Sequence, residues 1–358
     1  MKRRAQSDAP PESDRFKDYP HPRATFDLFG HAAIEQGLLQ AYRDGRLPQS
    51  IILGGPEGIG KATLAWRLAR FLMVHPDPDR PSVQAAQNLY VPPDHPIAHR
   101  LLGLAHGDLV LLRREWNDKR KRPFSEIRIE DIRTALGLFQ NASGEGGWRI
   151  IIIDCAEDLN RSGANALLKL IEEPPPKSLF LIISHRPGRI LPTVRSRSQL
   201  LHLEPLQDSE VLQALQSLEE VKELYQPQAI QEAVRDSAGS VREALRNLDT
   251  DSRALAKKID GLLGQLPMLD NRGLHGLCDE LAGIAKTEEF EAFLLHVYDW
   301  IDARVQAGAG HLPASQLARY AQVWEKIALA ARETEALNLD RRPLILSIFT
   351  NLAEASTS

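Results

Sequence analysis

The chain has 358 residues, of which 43% are hydrophobic and 26% charged, with a formal net charge of −4. Its length exceeds one ordinary domain of about 100–200 residues, so we expect three domains. The composition is that of a soluble globular protein, and the apolar runs are far shorter than the ~20 residues of a membrane span. Because strong nucleic-acid binders usually carry a large positive excess, we expect any DNA contact to be shared with partner proteins.

Residues 1–24 are rich in proline and charge and lack the apolar core of a secretory signal, so we expect a disordered lead-in. The two cysteines, Cys155 and Cys278, are too few for a four-cysteine zinc site. In a chain without a secretory signal they are expected to be reduced thiols, which predicts a cytoplasmic protein.

Residues 25–205 alternate between helical and strand-like patterns. Strands are predicted at 50–53, 108–112, 150–153, 179–183 and 199–203, and helices at 29–46, 64–72, 132–139 and 165–173. Residues 75–107 include a proline-rich stretch and are predicted to form an irregular insertion. Short apolar strands that alternate with helices indicate an α/β fold, in which helices cover a parallel sheet.

From residue 206 onward the sequence shows helical stripes and almost no strand-like run. Helices are predicted at 209–217, 228–249, 252–265, 288–307, 315–335 and 342–354. Gly239, Pro267 and Pro313 interrupt them. We therefore expect a small helical lid domain at 206–255 and a C-terminal helical bundle at 256–358.

The strongest motif is G-P-E-G-I-G-K, a phosphate-binding loop between a predicted strand and a predicted helix. Gly55, Gly58 and Gly60 allow backbone N–H groups to surround phosphate oxygens, and Lys61 supplies a cation for the terminal phosphates. A glycine-rich turn without a ligand is the alternative.

Two changes weaken the hydrolytic chemistry of this loop. Ala62 stands where a Ser or Thr hydroxyl would bind Mg²⁺, and Thr63, a candidate nucleotide contact, sits about 100° further round the helix. Asp154 ends an apolar strand and is a candidate metal ligand through water, with a helix cap or turn as the alternative. The next residue, Cys155, is a poor replacement for a catalytic glutamate, and Glu157 would need a distorted backbone to take that position.

Residues 165–175, N-A-L-L-K-L-I-E-E-P-P, resemble the helix-and-proline segment shared by clamp-loader AAA+ subunits of bacterial DNA polymerase III. The resemblance covers residues 26–250 by motif and the helical C-terminus by architecture. It implies an AAA+ P-loop NTPase domain followed by a lid domain and a collar domain. It also implies a sensor 1 role for Ser184, at the end of a predicted strand.

Residues 194–198, V-R-S-R-S, resemble the Ser-Arg-Cys motif by which a clamp-loader subunit sends an arginine into its neighbour's ATP site, with Ser198 in place of the cysteine. The resemblance makes Arg197 an arginine finger in trans, and a surface arginine paired with an acid is the alternative. The segment G-S-V-R-E-A-L is similar to sensor 2 and makes Arg242 a candidate phosphate contact. A solvated arginine after a helix-capping Ser240 explains that pattern almost as well.

Clamp-loader subunits of this kind commonly carry a four-cysteine zinc module in the insertion, which here contains no cysteine. His95 and His99 have the spacing of helical metal ligands, but Pro96 lies between them, so no zinc is expected. The densest basic stretch, residues 113–122, includes Trp116 and could touch DNA phosphates. A solvated hairpin or loop is the alternative.

Within this family, loss of site chemistry together with a retained arginine finger resembles delta-prime-type subunits. We therefore predict a stator that donates Arg197 to a neighbouring motor subunit during loading of the sliding clamp, with ATP as a candidate ligand and negligible hydrolysis. The expected partners are delta and gamma/tau-type subunits, with the clamp and primer-template DNA met through the complex. The alternatives are an active clamp-loader motor ATPase and a nucleotide-gated AAA+ adaptor.

Overall fold

The structure of the protein is a computed structural model. It describes residues 12–119, 122–140, 147–283, 286–308, 311, 313–337 and 339–356. The chain divides into two compact units, Met1–Leu245 and Arg246–Ser358. Within the described ranges, no helix combines the length and the apolar character needed to cross a membrane.

The first unit contains a five-stranded parallel sheet with the strand order β2-β5-β6-β1-β7. All five predicted strands are confirmed, and with them the predicted α/β fold, in which helices accompany a parallel sheet. The basic stretch at 113–122 contains a separate antiparallel pair, β3 with β4. The strands are β1 (Ser50–Gly54), β2 (Leu109–Leu112), β3 (Trp116–Asn117), β4 (Arg122–Pro123), β5 (Arg149–Ile153), β6 (Ser178–Ser184) and β7 (Gln199–His202).

Eleven helices accompany these strands. They are α1 (Ala32–Arg43), α2 (Lys61–Val74), α3 (Pro81–Gln84), α4 (Pro96–Leu102), α5 (Ile129–Gln140), α6 (Arg161–Glu172), α7 (Pro192–Arg195), α8 (Asp208–Ser217), α9 (Glu219–Leu224), α10 (Pro227–Arg235) and α11 (Val241–Leu248), the last of which contains the division between the units.

The histidine pair in the insertion marks the start of a helix. His95 is the N-cap of α4, where its Nδ1 accepts a hydrogen bond from the Ile97 N–H at 3.2 Å, and Pro96 occupies the first helical position. Nowhere in the described residues do three or more His, Cys, Asp or Glu side chains gather as a metal site. The position of His95 is therefore explained by its role as the cap of α4.

Consecutive residues of the central strands pack on opposite faces of the sheet. Ile51 and Leu53 of β1 join the core formed with α1 and α2, whereas Ile52 joins the core formed with α5 and α6. Both β1 and β6 are buried along their whole length. Burial on both faces explains why these strands read as continuous apolar runs.

The parallel register places the candidate site residues at one edge of the sheet. Gly54, the last residue of β1, lies opposite Ser184 of β6, and Leu112 of β2 lies opposite Ile153 of β5. The Asp154 N–H donates to the Leu112 carbonyl at 2.8 Å. The phosphate-loop sequence and the side chains that follow β2, β5 and β6 thus emerge together at the carboxyl edge, where open α/β sheets bind ligands.

Residues 12–24 differ from the predicted disordered lead-in, because they pack on the first unit and end in a 3₁₀ helix, Pro22–Ala24. His21 is only 5% exposed, and its ring meets Trp66 of α2 edge-on with centroids 6.4 Å apart. Ion pairs with residues far along the sequence hold this segment, so local composition gives no sign of its order. Residues 1–11 of the predicted lead-in lie outside the described residues.

The predicted helix at 228–249 is two helices, α10 and α11. Gly239 breaks it with a φ of +80°, and a Cβ there would lie 2.5 Å from the Leu206 carbonyl oxygen, so only glycine fits this turn. The division between the compact units falls before the predicted lid boundary at residue 255. The separation of lid from nucleotide-fold domain stays a proposal.

The second unit is entirely helical in its described residues and has its own core, in which the rings of Phe290, Phe293 and Phe349 lie together. The predicted helices of this region are confirmed. α13 was not predicted. The helices are α12 (Thr250–Gly264), α13 (Asn271–Leu281), α14 (Thr287–Gly308), α15 (Ala314–Leu337) and α16 (Arg341–Ser356).

Candidate nucleotide site

The phosphate loop joins β1 to α2 with three glycines in backbone conformations that other residues rarely adopt. Gly55, Gly58 and Gly60 have φ values of +144°, +77° and +103°, and Gly60 is the N-cap of α2. This geometry gathers backbone N–H groups at the positive end of a helix dipole. The loop therefore has the backbone of an anion-binding site.

Lys61 lies inside the loop rather than in solvent. The residue is 3% exposed, and its Nζ donates to the Gly55 carbonyl at 2.7 Å and also to the Pro56 carbonyl. Burial lowers the pKa of Lys61 to about 8, although the nearby carboxylates of Glu57, Glu157 and Asp154 oppose that shift. The ammonium group of Lys61, the candidate phosphate contact, is thus hydrogen-bonded to the backbone of its own loop.

The two residues after Lys61 supply no metal ligand at this position. Ala62 packs against the hydrophobic core as a partly buried side chain. Among the described residues, the Thr63 hydroxyl makes no hydrogen bond to the loop.

Asp154 follows β5 beside the loop. Burial, together with the charges of Asp14 and Asp158, raises the pKa of its carboxyl group to about 8, against the opposing effect of Lys61 and Arg242. A carboxyl group that holds its proton near neutral pH is a weak metal ligand. Together with Ala62, this leaves the edge poorly equipped to bind Mg²⁺.

Glu157 reaches Ser184, the candidate sensor 1 residue, because the backbone is strained just before it. Cys155 adopts a left-handed conformation with a φ of +65°. Glu157 Oε1 then accepts hydrogen bonds from Ser184 Oγ and from the Arg186 N–H, both at 2.6 Å. Burial raises the pKa of Glu157, but these hydrogen bonds and the nearby His185 outweigh it and hold the pKa below its ordinary value. The backbone before Glu157 is thus distorted, and the carboxylate of Glu157 engages Ser184 there.

The Cys155 thiol is a poor base in this setting. Burial raises its pKa well above the ordinary value, and the carboxylates of Asp158, Glu157 and Asp154 raise it further. Its Sγ lies 3.4 Å from Glu157 Oε2 and serves as the donor there. The thiol therefore stays protonated at physiological pH.

Arg242 meets the phosphate loop through an ion pair. Its Nη1 lies 3.0 Å from Glu57 Oε1 in the loop. Nearby, Ser240 Oγ donates to the Glu57 carbonyl at 2.8 Å, and the Val241 N–H donates to the Gly58 carbonyl at 3.0 Å. The start of α11 is thus fixed to the loop, and Arg242 is not simply a solvated arginine.

His185 is a site residue that the sequence reasoning missed. It directly follows Ser184, and its Nε2 lies 4.0 Å from Glu57 Oε1. Burial, together with the neighbouring positive charge of Lys61, lowers its pKa to about 4. It is therefore a neutral imidazole in the cleft, and its place at the carboxyl end of β6 was the available signal.

Arg197 lies at the opposite edge of the sheet from the phosphate loop. Ser198 Oγ and Ser50 Oγ are 2.8 Å apart, and Gln199 is opposite Ile51, whereas Gly54 is opposite His202. The five residues of β1 therefore separate Arg197 from the loop, a span of about 16 Å at ~3.3 Å per residue.

The side chain of Arg197 is 42% exposed and pairs with Glu172 of α6, with Nε 2.8 Å from Oε1. The alternative of a surface arginine paired with an acid is thus realised in the isolated chain. Such an exposed ion pair is weak, of the order of 0–1 kcal/mol, so it does not prevent the side chain from engaging another group.

The residues at the carboxyl edge fit the phosphates of a nucleotide but not a metal ion. Phosphate fits because three glycines, Lys61 and Arg242 converge there. Metal does not, because Ala62 has no oxygen ligand and burial favours the protonated form of Asp154.

The known proteins to which this chain is similar include subunits of DNA polymerase III. Residues 30–207 match the family described as DNA polymerase III, delta subunit. The DNA polymerase III subunit delta' of Pseudomonas aeruginosa is 34% identical over 146 residues, which are 41% of this chain and 40% of the relative. That of Yersinia pestis is 26% identical over 281 residues, 78% of this chain and 77% of the relative.

The tau subunit of Escherichia coli DNA polymerase III is 26% identical over 251 residues, 68% of this chain and 36% of that protein. The chain therefore spans about two fifths of the length of the first curated relatives that it matches.

Proposed function

We propose that the chain is a delta-prime-type clamp-loader subunit of DNA polymerase III, as its family match and its delta' relatives support, and that it acts as a stator that donates Arg197 to the ATP site of a neighbouring motor subunit. Its partners in this proposal are delta and gamma/tau-type subunits. It meets the sliding clamp and primer-template DNA through that complex.

The observation that carries this proposal is the position of Arg197 at the amino edge of the sheet. The chain's own phosphate loop lies at the carboxyl edge, so Arg197 has no route to the phosphates of its own site. An arginine with partial exposure and one weak ion pair is suited to stabilising charge on a nucleotide bound by another subunit.

The chain's own site is proposed to hold nucleotide without turning it over. Gly55, Gly58, Gly60 and Lys61 would hold the phosphates, and Arg242 would contact the terminal phosphate once it leaves Glu57. Bound ATP would bridge the phosphate loop and the lid without being hydrolysed. The hydroxyl that would bind the metal is missing at Ala62, and the catalytic carboxylate is missing at Cys155. No zinc is expected, and elemental analysis that found about one zinc per chain would refute this part.

Reconstitution tests the proposal. The chain is mixed with delta and gamma/tau-type subunits, and the mass of the complex and its DNA-stimulated ATPase are measured. We expect a defined complex whose ATPase depends on this chain. Failure to assemble with either type of subunit would refute the stator role, and strong ATPase activity of the chain alone would favour the motor alternative.

A further inference from the structure

Residues 12–21, here called the N-terminal strap, are fixed to the sheet edge beside Asp154. Arg113 directly follows β2, and its guanidinium pairs with Glu12 at 2.9 Å and also with Asp14. Ser13 Oγ donates to the Arg114 carbonyl at 2.8 Å. Since Leu112, the residue before Arg113, accepts the Asp154 N–H, this end of the strap lies next to the carboxylate that follows β5.

The strap's acidic anchor is almost completely enclosed. The Asp14 side chain is 2% exposed and lies 2.8 Å from His21 Nε2. Glu12 makes a second ion pair, with Arg23 at 2.8 Å. Buried ion pairs with several hydrogen bonds hold a segment in one arrangement, because breaking one partner leaves a charge unpaired. The strap is therefore held firmly rather than lying loosely on the surface.

The middle of the strap reaches the other side of the cleft. The Phe16 ring centroid lies 4.9 Å from Arg242 Cζ, a cation–π distance. The same guanidinium pairs with Glu57 of the phosphate loop. The arginine expected to contact phosphate is thus held between an aromatic ring of the strap and a carboxylate of the loop.

The strap also places the negative charge of Asp14 near Asp154, at the edge of the sheet where the phosphates of a nucleotide would lie. Asp14 is close enough to Asp154 that its charge adds to burial in raising the pKa of Asp154. A nucleotide phosphate at this edge would meet the same repulsion from Asp14. Closure of the strap and binding of phosphate therefore oppose each other.

We propose that the N-terminal strap is an intramolecular competitor of nucleotide, which closes the cleft by pairing with Arg113 and Arg242 and must lift before phosphate can bind. This inference deepens the proposed function by adding a regulation of the chain's own site. Opening would release Arg242 from Phe16 and remove Asp14 from the side of Asp154.

The test measures binding of a fluorescent N-methylanthraniloyl derivative of ATP to the isolated full chain. Apparent affinity is proportional to the fraction of chains that are open, so a strap closed in ~90% of molecules predicts about a tenfold gain in affinity on release. The double variant Asp14→Asn with Phe16→Ala should show that gain. The matched control is Asp18→Asn, which removes an exposed acid from the same strap.

Adding Lys61→Ala to the double variant should abolish the gain, because the new binding must use the phosphate loop. Unchanged affinity in a double variant that retains the native circular dichroism spectrum would overturn the proposal. A gain that survives Lys61→Ala would also overturn it.

Hydrogen exchange on the unmodified chain covers the case in which the double variant does not fold. Saturating ATP should speed amide exchange in residues 12–21, and it should not do so in Lys61→Ala. Bound ATP with unchanged protection of the strap would contradict the proposal. None of these results involves Arg197. Failure of the strap proposal therefore does not refute the stator function, and failure of the stator function does not refute the strap proposal.

Discussion

Ser184 Oγ donates a hydrogen bond of 2.6 Å to Glu157 Oε1, so the Ser184 side chain is engaged by a carboxylate from just beyond the end of the neighbouring strand. This carboxylate also accepts the Arg186 N–H. Glu157 thus holds the ends of β5 and β6 together. A carboxylate occupied in this way is poorly placed to activate a water molecule, because its acceptor positions already have partners.

The isolated chain is therefore expected to have negligible ATPase activity. Loss of a general base alone typically lowers a rate by ~10²–10⁴-fold, and Cys155 and Ala62 remove both base and metal ligand. Steady-state phosphate release by highly purified protein checks this, with Lys61→Ala as the control for contaminating ATPases. Robust turnover that Lys61→Ala abolishes would contradict the account.

Restoring the missing groups should have only a small effect. The double variant Ala62→Ser with Cys155→Glu is expected to recover a little phosphate release, since the strap still covers Arg242 and Glu157 still engages Ser184.

Asp154→Asn should stabilise the chain increasingly as pH rises from 5 to 8. The folded pKa of Asp154, about 8, lies above its ordinary value of 3.8, so the folded state binds the extra proton and loses stability as pH rises between these values. Between pH 5 and pH 8 we expect the free energy of unfolding of the variant to increase relative to that of the unmodified chain by at least about 1 kcal/mol, the equivalent of one pKa unit. Urea unfolding of both proteins at pH 5 and pH 8 measures it. A difference that stays constant or shrinks towards pH 8 would count against a buried, protonated Asp154.

Gly58→Ala should loosen the contact between the phosphate loop and α11. A Cβ at Gly58 would lie 2.5 Å from Arg242 Cβ, and it would also clash with Ser240 Oγ. Gly45→Ala is the matched control, since Gly45 also has a positive φ, +66°, but nothing lies within 4 Å of its Cβ position.

Both substitutions carry backbone strain, so the difference between them isolates the clash. We expect Gly58→Ala to lose about 1–3 kcal/mol more than Gly45→Ala in urea unfolding. Equal losses would mean that the start of α11 does not rest on the loop in solution.

Local sequence patterns predicted the sheet and the phosphate loop because their causes are local. The isoleucine run of β5 must be buried on both faces, and the glycines of the loop must adopt positive φ values. α13 was also within reach of the same reasoning. Leu274, Leu277, Cys278 and Leu281 recur at helical spacing after the N-cap Asp270, and all four are buried.

Other features have no local cause and could not be predicted. The strap is ordered by pairs such as Asp14 with Arg113, which are distant in sequence, so residues 12–21 read only as a charged and polar segment. The reach of Glu157 to Ser184 depends on the left-handed backbone at Cys155, a residue type that gives no sign of it.

The reconstituted clamp loader tests the central claim most directly, through its clamp- and DNA-dependent ATPase rate with three variants of this chain. These are Arg197→Ala, Lys61→Ala and the control Arg195→Ala, which removes an exposed arginine two residues away. An arginine finger commonly contributes ~10³–10⁵-fold at the site that it serves. In a complex with several motor sites, only the site facing this chain would lose it.

We predict that Arg197→Ala leaves assembly intact but lowers the ATPase and clamp-loading rates, whereas Lys61→Ala and Arg195→Ala change both much less. Unchanged rates with Arg197→Ala, together with loss of both activities in Lys61→Ala, would contradict the account and make this chain's own site the working one.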